Sequence, residues 1–192
     1  VTAALRRPER VPALKEMLDQ YLPGRVVDLG SGTAFASLIA AEAGWSVTSV
    51  DTRTDRWPEP RPEGIEWQTG DVRTTSLESY DLVLCLGLFY HLTVEDQVDL
   101  LSRLECPMIL DTHVGRRAGS QHPLTDSVRL GYAGSDYPEP DDSNPLSSWG
   151  NETSFWPTVE SLVQMVEDQG LYADVGPWTD VDRLFIHVKE GK

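Results

Sequence analysis

Positive charge is scarce in this chain: 16 Lys and Arg stand against 31 Asp and Glu, a formal net charge of −15 over 192 residues. A nucleic-acid binder draws its affinity from cations that neutralise phosphates, so this balance argues against nucleic acid as a partner. Cysteine is scarcer still. Cys85 and Cys106 lie in apolar surroundings without the paired spacing of a zinc site, and they read as buried thiols of a reducing compartment. No run of about 18 apolar residues exists to cross a bilayer. The start, with Arg6, Arg7 and Glu9 ahead of a Pro-punctuated amphipathic stretch, lacks the apolar core of a signal peptide. These absences set the expectation of a soluble, cytoplasmic protein with no membrane partner. The length lies within the roughly 100 to 200 residues of one domain, and residues 1–192 read as a single unit.

Apolar runs alternate with helical patterns, the signature of strand–helix–strand units in a parallel sheet. An amphipathic helix around 9–21, inside an N-terminal segment 1–23, is stopped by Pro23 and Gly24. Strands are expected at 25–29, 46–50, 65–68, 81–86 and 108–111, with helices at 34–43 and 94–104. From Gly115 to Asn151 the pattern dissolves into Gly, Ser, Pro and Asp. A stretch that long reads as a functional lid over a substrate or a disordered excursion. A helix is expected at 158–169, with Pro157 in its first turn and Gly170 as its stop. The last two strands, near 172–175 and 184–188, leave no room for a crossover helix and should pair antiparallel.

Most of the information sits in Val26-Val27-Asp28-Leu29-Gly30-Ser31-Gly32-Thr33-Ala34. Glycines after a buried strand and ahead of a helix let the backbone turn tightly and bring helical N–H groups against a nucleotide-like ligand. Asp51, at the tip of the next strand and about 20 positions on, can accept hydrogen bonds from both hydroxyls of a ribose. A dinucleotide such as NAD and S-adenosylmethionine both fit. The dinucleotide fingerprint asks for a third glycine, and the chain has Ala34 and Phe35 there.

Asp28 before the glycines gives the run its resemblance to the first motif of class I S-adenosylmethionine-dependent methyltransferases, with Ala34 in place of the third glycine. Gly70-Asp71-Val72 is similar to the acid of that family's third strand, which reads the adenine amino group, and Tyr80 to Cys85 resembles its fourth-strand motif. The resemblance covers residues 24–191. It implies a Rossmann-like α/β fold: a seven-stranded, mostly parallel sheet with an antiparallel last strand and helices on both faces. It also implies a cofactor site in which Asp51 holds the ribose and Asp71 with Val72 the adenine. Asp28, Gly30, Ser31 and Gly32 would meet the methionine portion, with Leu86 at the end of the fourth strand.

Methyl transfer to a hydroxyl needs alignment and a base. Candidates follow the fourth and fifth strands: His113 is the first choice of general base and His91 the second, with Tyr90 beside the methyl position. The aromatic-His ending, together with the segment Trp149 to Pro157, also resembles the methyltransferases of the tRNA wobble uridine, though no extra domain for tRNA is evident. Small hydroxylated acceptors fit the composition better. Trp149 and Trp156 would serve as platforms for sugar rings, while Asn151 and Glu152 would hold hydroxyls. Some sugar O-methyltransferases use a divalent cation, and Asp111, Asp141 and Asp142 are the oxygen ligands that a Mg2+ ion would take. The expectation is therefore a methyltransferase acting on a sugar, glycan or small metabolite. The alternatives are a tRNA methyltransferase, an NAD-dependent oxidoreductase and a non-catalytic cofactor-binding domain.

Overall fold

The computed structural model describes residues 9–140, 144 and 147–191. Its main sheet has seven strands in the order β3-β2-β1-β4-β5-β10-β9. β1 (Arg25–Leu29), β2 (Ser46–Asp51), β3 (Ile65–Thr69), β4 (Leu82–Leu86) and β5 (Met108–His113) run parallel, and β10 (Arg183–Glu190) lies antiparallel to both β5 and β9 (Leu171–Asp180). β4 and β5 are buried along their whole length. Strands covered on both faces carry continuous apolar runs instead of alternating ones, which is why these segments stand out in the sequence.

α1 (Arg10–Leu18) and α2 (Phe35–Glu42) pack on one face of the sheet through Leu14, Leu18, Ile39 and Ala40. α3 (Val94–Ser102) and α4 (Val159–Glu167) cover the other through Leu100, Leu101, Leu162 and Met165. Each of the latter two starts on a threonine: the Thr93 hydroxyl accepts the Asp96 N–H at 3.2 Å and the Thr158 hydroxyl that of Ser161 at 3.1 Å. Such caps satisfy amide groups that no helical carbonyl reaches. The cap at Thr158 moves Pro157 out of the expected first turn; it is instead the last residue of a strand. Cys85 and Cys106 are free and buried, and burial pushes the Cys106 thiol up to about 11. No helix among the described residues is long and apolar enough to cross a membrane.

The long stretch 115–151 is not structureless. β6 (Thr125–Arg129) and β7 (Tyr132–Pro138) form a hairpin, and β7 also pairs with β8 (Thr153–Pro157) in a three-stranded antiparallel sheet. Leu130 and Gly131, between the hairpin strands, both have positive φ (48° and 88°), the backbone of the tight turn that matches strand twist. Gly134 is required by the contact with β8, because a Cβ there would lie 2.5 Å from the Phe155 ring. β6 is polar and largely exposed, so no apolar alternation announces it.

Candidate active site

The strand order reverses between β1 and β4, and ligands of open α/β sheets bind at the carboxyl ends of strands where this happens. Here the chain leaves β1 through Gly30, Gly32 and Ala34, with φ of 63°, 54° and 58°. Ala34 thus adopts the left-handed conformation of the glycine it replaces, at a cost of roughly 1–2 kcal/mol. Ser31 is fixed by its N–H on the Val50 carbonyl (3.0 Å) and by its hydroxyl, which accepts the Trp57 indole N–H (3.0 Å).

A cleft of about 660 Å³ opens at these strand ends, lined by Gly30, Asp51, Gly70, Asp71, Val72, Gly87, Leu88, His91 and Trp149, among others. Asp51 accepts the Gly32 N–H on one carboxylate oxygen and the Arg53 N–H on the other, both at 2.7 Å. Each oxygen keeps a lone pair for a ligand hydroxyl. Asp71, one strand over, receives the Arg73 N–H at 3.0 Å and its Nε at 2.9 Å, and that guanidinium holds the carboxyl below its usual range. Arg103 donates to the Val72 and Thr75 carbonyls and so fixes the loop behind Asp71. At the Gly87 end lie Arg10 and Arg183, whose guanidinium nitrogens would come within 3.7 and 3.0 Å of a Cβ on Gly87. Arg10 Nε is buried with no hydrogen-bond partner among the described residues. The cleft itself is lined by the Asp51 and Asp71 carboxylates together with Arg53, Arg56 and Arg73, a set suited to a nucleoside ligand.

A methyltransferase-domain family model matches residues 27–105, which span β1 to β4 and the acids at their tips. Over that stretch the chain is similar to methyltransferase domains. No curated protein matches its sequence. Among solved structures, the N-terminal domain of EvdMO1 with S-adenosylhomocysteine and D-fucose is 21% identical, with a TM-score of 0.70 over 95% of this chain and 82% of that one. The glycopeptide N-methyltransferase MtfA in complex with S-adenosylhomocysteine is 15% identical, with a TM-score of 0.62 over 94% of this chain and 86% of that one. Burkholderia thailandensis 1,6-didemethyltoxoflavin-N1-methyltransferase is also 15% identical, with a TM-score of 0.65 over 99% and 82%. At these identities the likeness shows the shared fold.

Not every expected cofactor residue faces the cleft. Asp28 is turned inward: its Oδ2 accepts both the N–H (3.0 Å) and the hydroxyl (2.6 Å) of Ser37, tying β1 to α2. Burial pushes its carboxyl up to about 7 against the pull of those bonds. The expectation that Asp28 meets the methionine portion is thus corrected to a structural tie. Ser31 and Gly32 shape the turn without lining the cleft, and Leu86 is buried just before the lining residues Gly87 and Leu88.

One wall of the cleft is built from parts far apart in sequence. His91 ends a short 3-10 turn (Phe89–His91), and its Nδ1 lies 2.9 Å from Glu139 Oε1. Glu139, its side chain only 1% exposed, also accepts the Ser154 hydroxyl (2.6 Å) and the Ser148 N–H (2.9 Å). His91 Nε2 has no hydrogen-bond partner among the described residues. Arg53 donates to the carbonyls of Asn144 (2.7 Å) and Ser148 (3.2 Å), and its guanidinium lies 5.5 Å from the Trp149 ring. The strap carrying Ser148 and Trp149 is thereby fastened along the cleft.

The remaining expected residues fall elsewhere. Trp149 is half exposed and lines the cleft. Trp156 is buried, stacked with the imidazole of His113 (4.6 Å) and the ring of Tyr137 (5.1 Å), so it offers no open face to a sugar. Asn151 spends its amide on the Thr153 carbonyl (3.0 Å) and on the Ser148 hydroxyl, while Glu152 points to solvent. Tyr90 stands between the two histidines, 4.2 Å from the His91 ring and 4.6 Å from that of His113. His113 is buried, which lowers its pKa; its Nδ1 meets Asp182 at 2.8 Å and its Nε2 faces Arg183 Nη1 at 3.1 Å.

Asp111 is corrected as a metal ligand. It is fully buried, accepts Arg183 Nε and Nη2 at 2.8 and 3.0 Å, and forms an ion pair with Arg10. Burial alone would raise its pKa, but the two guanidinium groups outweigh it and hold the carboxyl down. A Mg2+ ion there would face two cations. Asp141 and Asp142 lie outside the described residues. The sequence reading missed Arg10, Arg53, Glu139, Asp182 and Arg183, none of which sits in a local motif.

Proposed function

We propose that the chain is an S-adenosylmethionine-dependent methyltransferase that O-methylates a hydroxyl of a small acceptor, a sugar or a sugar-bearing metabolite, with His91 as general base and Glu139 as its positioning residue. The observation that carries this reading is the His91–Glu139 pair on the wall of the cofactor cleft. A hydroxyl must shed its proton as it becomes a methyl ether, and a positioned imidazole is suited to that task. S-adenosylmethionine, when bound, supplies a sulfonium methyl group open to a nucleophile. His91 donates Nδ1–H to Glu139, which leaves Nε2 to accept the hydroxyl proton, and the carboxylate faces the imidazolium so formed.

His113, first in the sequence reading, is less suited because its Nε2 accepts from Arg183. The role therefore passes to His91. Support for a sugar comes from the EvdMO1 domain, whose structure was obtained in the presence of D-fucose. The MtfA and toxoflavin enzymes are named for nitrogen acceptors, and a neutral amine presents a lone pair without prior loss of a proton. The net charge of −15 disfavours tRNA.

The test is mass spectrometry of a panel of deoxysugar and amine acceptors incubated with deuteriomethyl-labelled S-adenosylmethionine, using wild type and His91→Ala. Label on a hydroxyl in wild type, lost in the variant, is the expected result. Label on nitrogen, or undiminished turnover in His91→Ala, overturns the reading.

A further inference from the structure

Three ligand-type side chains meet beside Tyr90 and outside the cofactor cleft. His113 ends β5, His122 lies in the connection to β6, and Asp182 sits in the turn between β9 and β10. One ligand atom from each falls within 4.8 Å of the other two. His113 Nδ1 is 2.8 Å from Asp182 Oδ1, and His122 Nε2 is 3.9 Å from Asp182 Oδ2. We propose that His113, His122 and Asp182 form a binding site for a divalent transition cation of the zinc class, with a coordination position left open on the His122 side.

The chemistry of the set selects the cation. Two imidazoles and one carboxylate suit zinc and its neighbours, whereas magnesium favours an all-oxygen shell. A cation about 2.0–2.1 Å from each ligand holds them roughly 3.3 Å apart. His113 Nδ1 lies 2.8 Å from Asp182 Oδ1 and His122 Nε2 3.9 Å from Asp182 Oδ2, and one ligand atom of each residue lies within 4.8 Å of the other two, so side-chain rotations would draw the three to the ligand spacing. His113 and Asp182 are buried and set by the β5–β10 register, while the His122 side chain is 38% exposed and gives access from solvent. Ser120 donates to Asp182 Oδ2 at 2.7 Å and orients the carboxylate, the outer-shell support that metal ligands commonly have.

Binding moves the His113 proton to Nε2, opposite Arg183 Nη1, which then retains the Tyr90 hydroxyl 3.5 Å away. That rearrangement keeps the affinity modest. The cation would pin the connection after β5 onto the last hairpin. The site stands apart from the His91 reading and does not depend on it.

The test is titration of the metal-free protein with Co2+, followed by visible absorption, and competition by Zn2+, in wild type, His122→Gln and His91→Gln. Only four histidines are present in the chain, which keeps the assignment clean. Wild type and His91→Gln should develop the band of four- or five-coordinate Co2+, and Zn2+ should abolish it. His122→Gln, altered at a partly exposed position, should keep its melting temperature and bind at least about tenfold more weakly. No band in wild type, unchanged affinity in His122→Gln, or loss of the band in His91→Gln overturns the proposal.

Discussion

His91 and Glu139 are 48 positions apart in sequence, yet Nδ1 of one lies 2.9 Å from Oε1 of the other at the wall of the cofactor cleft. The pair joins the end of β4 to the polar sheet inserted after β5. It makes His91 and the strap over the cleft parts of one hydrogen-bonded unit, because Glu139 also receives the Ser148 N–H.

Removing the base should leave the cofactor in place. His91→Ala is expected to lower kcat by about 10²–10⁴-fold, while S-adenosylhomocysteine binding by calorimetry stays within about threefold of wild type. Glu139→Gln should keep the fold and shift the pH profile of kcat, since the neutral amide no longer faces the imidazolium.

Arg53 fastens the strap through two carbonyls, and hydrogen bonds from charged groups contribute about 1.5–3 kcal/mol each. Arg53→Ala should therefore release the strap and weaken S-adenosylhomocysteine by about tenfold, or ~1.4 kcal/mol. Binding at wild-type strength would show that the strap contributes nothing to cofactor retention.

Asp111 is the buried counter-charge of Arg10 and Arg183. Breaking such a cluster from one side strands buried charge, at a cost of about 3–5 kcal/mol. Asp111→Ala should lose about that much in urea unfolding. Addition of EDTA to wild type should leave this part of the stability unchanged, because guanidinium groups and not a cation neutralise the carboxylate.

The pH dependence of the free protein carries a signature of Asp28. Its carboxyl is raised from 3.8 to about 7 by burial, so the folded state holds a proton that the unfolded state has released. The associated stability is fully present below pH ~4 and is lost as pH rises through 7. Asp28→Asn lacks this loss, so its melting temperature should gain on wild type between pH 5 and pH 8. A constant difference across that range would contradict the assignment.

What was legible in the sequence was local. The run from Val26 to Ala34, Asp51 and Asp71 each sit at a strand end, where residues a few positions apart fix both turn and ligand chemistry. The inner strands β1 and β4 were legible as apolar runs buried on both faces. What escaped came from long-range register. Arg183 pairs opposite His113 and Phe185 opposite Asp111, so Arg183 lies diagonally across the ladder from Asp111, a neighbour on one face that no spacing reveals. Glu139 lies in a polar stretch where nothing local marks it, because the sheet beside it has exposed strands and little apolar alternation. Trp156 looked like a platform because its type is common in sugar sites, but packing against His113 and Tyr137 closes it.

The acidity noted at the outset divides accordingly. Asp51 lines the cleft, Glu139 holds His91 at its wall, and Asp28 and Asp111 are partnered inside the protein. The measurement that tests this account most directly is calorimetric titration of S-adenosylhomocysteine into wild type and Asp51→Ala. The account predicts one site per chain in wild type and a loss of at least about tenfold in affinity when the carboxylate is removed. No heat of binding at high micromolar ligand, or equal affinity in the two proteins, would contradict it.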